Sequence, residues 1–308
     1  MQRKAVYVDW HLPKKAQGKL VPTKRPWEIA MIIRSVAYSK IFNNLYTVLY
    51  CDSETYDYYD EIGLLKHFDE VKQILPDEVN YNPSTFWAAG KFYAILDNDS
   101  PFVMIDLDAE IRFEIDFNDC DLFCTHLEGV SKNDLKFYPD FEYLDRDGIL
   151  SSKFNIKWGD LAVNTCILAF NDIDFSKKYA QSAIDFMEST ININDSFSGV
   201  AYMVSLEQRF LYELAKLENK KINFLIDGKY IPTNIDHGLE SFEDSNIDEI
   251  GAKGFLHVWG YKKQLNNSPE LENKFTDSLI STSEYMSSDI LYSVNMNNKL
   301  YLTGYNWN

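Results

Sequence analysis

The sequence predicts an α/β fold with a mixed, mostly parallel central sheet flanked by helices. Short β-branched and aromatic runs alternate with helix-period segments through the first third, and an acidic pair closes the third strand of that alternation. Ala5-Val6-Tyr7-Val8 reads as the first strand, followed by a polar, proline-containing loop. Pro26 opens a helix whose Ile29, Ile33, Val36 and Ala37 share one face. Thr47-Val48-Leu49-Tyr50 is the second strand, and a helical or irregular stretch runs on to Leu75-Pro76. A helix from Thr85 to Leu96 leads into Phe102-Val103-Met104-Ile105, the strand that ends in Asp106-Leu107-Asp108. This β-α-β-α-β order requires crossover helices and parallel pairing.

Downstream, Asp121 to Thr125 reads as a strand, 132–152 as a polar loop, and Leu161 to Phe170 as one long strand. Two helices follow, one with Tyr179, Ala183, Phe186 and Met187 on its apolar face and one with Leu206, Phe210, Leu214 and Leu217. A late strand covers Ile222 to Ile226, then an acidic loop from Asp236 to Glu249 precedes Gly254 to Lys263. No repeat or linker divides the chain, so one domain over 1–308 is expected.

The chain has 308 residues, 45% of them hydrophobic, enough for a full core. A formal charge of −17 argues against a nucleic-acid partner, because phosphate backbones demand a basic footprint. Lys4, Lys14, Lys15, Lys19, Lys24 and Arg25 are a modest basic concentration in the opening segment and read as solvated loop charges. No stretch has the length of a membrane span and no signal-peptide core is present, so a cytoplasmic protein without an integral membrane segment is expected. Cys51, Cys120, Cys124 and Cys166 show no paired framework and read as small buried or half-buried thiols.

Asp106 and Asp108 stand where a buried strand emerges, and open α/β sheets bind ligands at that end of their strands. Residues two apart on an extended chain face one side, so both carboxylates can serve one hard cation, Mn²⁺ or Mg²⁺. Far along the chain, His257, Gly260 and Lys263 form HxxGxxK. A neutral imidazole can be the third protein ligand, the glycine lets backbone turn closely around a phosphate, and the lysine neutralises it.

The order of these motifs resembles that of GT-A fold glycosyltransferases, in particular the retaining glycogenin and lipopolysaccharide-galactosyltransferase type, glycosyltransferase family 8. The resemblance implies that Asp106, Asp108 and His257 bind the metal, while Lys263 and Gly260 serve the diphosphate of a nucleotide sugar. It also implies a donor contact from Lys91, with lysine where that family usually has arginine, and a nucleobase contact from Asp9. Asn164-Thr165-Cys166 stands where the family has Asn-x-Gly, and Glu207-Gln208 where it has Asp-Gln. Glu207, Gln208, Asn164 and Asp160 are the candidates for the acceptor side. A nucleotide-binding half over about 1–125 and an acceptor half over about 126–308 follow from the same likeness. The implied partners are a nucleotide-diphosphate sugar donor and a saccharide or other hydroxyl acceptor, in surface polysaccharide or glycan synthesis.

Three other readings stay open: a DxD phosphatase, a binding module, and a transferase that keeps the fold without turnover. The phosphatase pattern departs here in two places. Glu110 follows Ala109, and Gly159-Asp160-Leu161-Ala162-Val163-Asn164 lacks the last acid of a GDxxxD motif.

Overall fold

A computed structural model describes residues 2–129, 145, 148–190, 199–226, 229–230, 254–258, 261–283 and 286–303. Its strands are β1 Lys4–Asp9, β2 Tyr46–Cys51, β3 Glu70–Gln73, β4 Phe102–Ile105, β5 Ala109–Ile111 and β6 Leu122–Cys124. They continue with β7 Leu127–Gly129, β8 Leu161–Val163, β9 Ile167–Phe170, β10 Ile222–Phe224, β11 Lys229–Tyr230 and β12 Phe255–His257. A seven-stranded sheet runs β10-β6-β9-β4-β1-β2-β3. Its pairs are parallel except where β9 lies antiparallel to β4 and β6. The fold class expected from the sequence, a mixed and mostly parallel central sheet flanked by helices, is the one observed.

Alternation along the strands divides the interior into two cores, one on each face of the sheet. Val6, Val48, Phe102, Met104, Leu168 and Phe170 belong to one, packed with Phe92, Tyr179 and Phe210 from helices. Ala5, Tyr7, Leu49, Val103, Ile105 and Ile167 belong to the other, beneath Ile29 and Ile33 of the helix Pro26–Asn43, Leu279 and Ile290. β4 and β9 are buried throughout, which is why both read as unbroken apolar runs. Phe102 pairs with Phe170 across them, ring centroids 5.5 Å apart.

Three expectations are corrected. The long strand over Leu161–Phe170 is two strands in different sheets, because Asn164 turns the chain between them. Its Oδ1 accepts the Cys166 N–H at 3.1 Å, so β8 joins a three-stranded sheet with β7 and β11 while β9 enters the central one. The helix expected from Thr85 starts at Gly90, since residues before it spend their N–H groups on turn bonds from Thr85 and Phe86 to the Asn82 carbonyl. The stretch before Leu75 contains an edge strand, β3, that its polar Glu70-Val71-Lys72-Gln73 did not announce. Among the described residues no helix is long and apolar enough to cross a membrane.

Candidate active site

Two backbone pairings bring the acidic pair and the late histidine together. β4 ends at Ile105, and the chain turns at once: the Ala109 N–H donates to the Asp106 carbonyl at 3.0 Å, while Asp106 N–H donates to the Cys166 carbonyl at 2.9 Å. Asp106-Leu107-Asp108 is therefore a turn and not the extended segment expected from the strand before it. β5 then pairs antiparallel with β12, setting His257 opposite Ala109, and the Val258 N–H donates to the Asp108 carbonyl at 3.1 Å. The consequence is convergence of three side chains. His257 Nε2 lies 3.9 Å from Asp106 Oδ2 and 3.7 Å from Asp108 Oδ2.

Two lysines close on the carboxylates. Lys91, on the helix Gly90–Leu96, meets Asp106 Oδ1 at 2.6 Å and also donates to Glu207, which accepts the Thr165 hydroxyl at 2.8 Å as well. Lys262 meets Asp108 Oδ2 at 2.8 Å. Lys263, expected at this place, is exposed and does not line the cavity. Its helix begins at Lys262, and neighbours on a helix point about 100° apart, so only one of the two lysines faces inward. Gly260 lies outside the described residues.

These groups line one cavity of about 540 Å³, a size that suits a nucleotide-sized ligand. Asp9, Asn164, Glu207 and Gln208 line it too, with Lys14, Lys19 and Lys24 along the side near β1 and Trp87 exposed among them. Asp160, a candidate from the sequence, is exposed just before β8 and does not line the cavity, because it stands at the opposite end of that strand from Asn164, which does. Glu207 and Gln208 sit in a π-helical turn, Ser205–Phe210, whose loosened Leu206 and Glu207 carbonyls accept the Tyr179 hydroxyl at 3.3 and 2.9 Å.

Glu128 is a cavity residue that sequence reasoning missed. It is 7% exposed and accepts from Asn164 Nδ2 at 2.9 Å, with His126 Nε2 at 3.3 Å. The signal was present as two polar residues, His126 and Glu128, spaced for one side of a strand.

Charge in the cavity is tightly managed. Burial pushes the Asp108 carboxyl up, but Lys262 and His257 outweigh it and bring the group down to about 2. Burial lowers His257 and the aspartates only partly offset it, so its imidazole is neutral at pH 7 with a lone pair to offer. Burial opposes the charge on Lys91, yet Asp106 and Glu207 raise its ammonium above the ordinary lysine value. Asp9 is likewise held low against burial by Lys24, at 2.7 Å, and by the Tyr59 hydroxyl, which donates at 2.6 Å.

Two carboxylates and a neutral imidazole fit a divalent cation. His257 stands 3.7 and 3.9 Å from the two carboxylates, and neighbouring donors around an ion with bonds of about 2.1 Å stand about 3 Å apart, so a shared ion requires the side chains to close on it.

Residues 28–285 match the family of unknown function DUF6734. The chain belongs to that family. No curated protein matches it. Among solved structures it is similar to mouse xyloside xylosyltransferase 1 in its apo form, with 10% identity over 71% of this chain and 82% of that one and a TM-score of 0.37. It is similar to the apo glycosyltransferase GlyE of Streptococcus pneumoniae TIGR4, with 14% identity, 83% and 54% coverage and a TM-score of 0.40. Galactosyltransferase LgtC, solved with donor and acceptor sugar analogs, overlaps at 12% identity, 72% of each chain and a TM-score of 0.33. Overlaps this loose carry no weight for what the chain does, and the functional reading rests on the site.

Proposed function

We propose that this protein is a glycosyltransferase that moves a sugar from a nucleotide-diphosphate donor to a hydroxyl acceptor, with Mn²⁺ or Mg²⁺ at Asp106, Asp108 and His257. The observation that carries the proposal is the convergence of those three side chains, with Lys91 and Lys262, in one nucleotide-sized cavity. A divalent ion bound there supplies charge neutralisation for a departing diphosphate. The chain's own cations supply more. Lys91 and Lys262, which hold the carboxylates in this structure, turn to phosphate oxygens once the donor arrives, and Asp9 meets the nucleobase at the far side.

Glu207, Gln208 and Asn164 face the acceptor in this proposal. Glu207 is 4% exposed and doubly bonded, by Lys91 and by Thr165, which makes it a fixed acceptor for a donor or acceptor hydroxyl. Glu128, tied to Asn164, joins that side. The proposal includes retention of the anomeric configuration, read from the product's anomeric proton by NMR, and glycan synthesis in the cytoplasm.

The test is a panel of UDP-, GDP- and CMP-sugars, each with and without Mn²⁺, read by melting temperature and by release of nucleoside diphosphate. One donor is expected to raise Tm only together with the metal and to be hydrolysed slowly without acceptor. Asp108→Asn is expected to keep the fold, lose the joint Tm shift and cut release by at least about 100-fold. A Tm shift with no release under any acceptor would reduce the protein to a nucleotide-sugar binder; no shift from any donor would sink the proposal.

A further inference from the structure

Cys166 stands apart from the other cysteines. Cys51 and Cys120 belong to one apolar core and Cys124 to the other, whereas Cys166, 2% exposed, also lines the cavity. Burial, and then Asp106 and Asp108, push its thiol well above the ordinary range against Lys91 and Lys262, so it is a neutral thiol until a cation takes its place among those charges. Its backbone is clamped on both sides, the N–H donating to Asn164 Oδ1 at 3.1 Å and the carbonyl accepting from the Asp106 N–H at 2.9 Å. A small apolar residue would pack there as well, so packing alone does not account for a sulfur at the cavity wall.

Distance defines what the sulfur meets there. The Cys166 sulfur, a carboxylate oxygen of Asp106 and a ring nitrogen of His257 all lie within 4.8 Å of one another. Some point always lies within about 2.8 Å of all three corners of such a triangle, and bonds to a borderline metal run from about 2.0 Å for nitrogen or oxygen to about 2.3 Å for sulfur. Closing by roughly half an ångström makes a three-donor shell. Asp108 is at hand as a fourth, 3.7 Å from the same imidazole.

We propose that Cys166 is a thiolate ligand of the cation at this site, so that the site takes a borderline ion of the Zn²⁺ or Co²⁺ class more tightly than Mn²⁺ or Mg²⁺. The inference rests on the reading of the site as cation-binding and changes which ion it prefers. On binding, the S–H bond breaks, its proton passes to solvent, and the electron pair left on sulfur makes the bond to the ion. Lys91 gives up Asp106 Oδ1 at the same time. Sulfur adds a soft donor that discriminates between ions where two carboxylates and an imidazole alone do so weakly.

Titration of the apo protein with Co²⁺, followed by absorption, tests this without recourse to activity. Wild type is expected to show ligand-field bands in the visible together with a sulfur-to-cobalt charge-transfer band in the near ultraviolet. Cys166→Ser and Cys166→Ala are expected to keep ligand-field bands and lose the charge-transfer band, and Asp106→Asn to weaken both. In competition, Cys166→Ser is expected to lower the preference for Zn²⁺ over Mn²⁺ by at least about 10-fold. Ligand-field bands without charge transfer in wild type would overturn the role of Cys166 while leaving the cation site intact. No bands at all would remove both. The wild-type spectrum decides the matter even where a variant fails to fold.

Discussion

Lys91 holds two carboxylates at once, Asp106 from the strand end and Glu207 from the π turn. Its place on a helix ahead of the acidic pair was pointed to by the family resemblance, whereas Asp106, Asp108 and His257 were legible from the residues themselves, as polar groups at the ends of apolar runs. The choice between Lys262 and Lys263 was not, since it depends on the residue at which a helix starts, and a shift of one position turns a side chain by about 100°. The lysines of the opening segment were read as solvated loop charges, yet Lys14, Lys19 and Lys24 line the cavity. Repulsion from Lys24, and then burial, bring the Lys14 ammonium down to about 8 from its ordinary 10.5. Between those two values the unfolded chain holds the proton and the folded chain does not, so a charged Lys14 costs stability at pH 7 and the cost fades as pH rises from about 8 to 10.5. Lys14→Met is therefore expected to raise Tm by about 2 °C at pH 7 and by progressively less as the pH is raised through that window. A gain that stays constant up to pH 10.5 would show that repulsion is not its cause.

At the scale of elements, the pairing of β5 with β12 decides whether a site exists, and one buried ion pair anchors β5. Arg34 of the helix Pro26–Asn43 grips Glu110 with two bonds, Nε to Oε2 at 2.7 Å and Nη2 to Oε1 at 2.9 Å. Its third nitrogen donates to the Leu279 carbonyl, the Thr282 hydroxyl and the Ser283 hydroxyl at 2.7, 2.8 and 2.9 Å. Arg112 also reaches Glu110, at 3.3 Å, but its side chain is 41% exposed and well screened. Arg34→Met thus leaves a buried carboxylate nearly uncompensated and is expected to cost about 3–5 kcal/mol by urea unfolding, with Arg34→Met/Glu110→Leu recovering most of that. Equal losses in the single and double variants would mean that packing, and not charge, is what Arg34 supplies. Arg34 drew no notice in the sequence and Glu110 only as a departure from the phosphatase pattern, because an arginine inside a helix and a glutamate after an acidic pair look like surface residues. The long strand over Leu161–Phe170 was misread for a related reason. Its two apolar runs are contiguous but for Asn164 and Thr165, and only tertiary pairing assigns them to separate sheets.

For the whole molecule, the central sheet draws strands from both the 1–125 and the 126–308 segments, and the cavity does the same, from Asp9 to Lys262. Its lysines, 14, 19, 24, 91 and 262, face the carboxylates of Asp9, Glu28, Asp106, Asp108, Glu128 and Glu207, so the lining is close to neutral. The chain as a whole carries −17. The far field therefore dominates, and in the absence of metal it repels an anionic nucleotide over the screening length, which shrinks from about 30 Å at 0.01 M salt to about 8 Å at 0.15 M. The association rate for a nucleotide diphosphate, measured by stopped flow without metal, is expected to rise over that range of salt. A rate that falls would mean that the cavity lysines steer the ligand from a distance. Such a measurement needs a signal, and the molecule carries one. Of the tryptophans among the described residues, Trp10, Trp27 and Trp158 are buried or half-buried, while Trp87 is 44% exposed and lines the cavity. Collisional quenching by acrylamide reaches an indole in proportion to its exposure, so an occupied cavity announces itself as the part of the quenching that Trp87→Phe removes, without label or coupled enzyme.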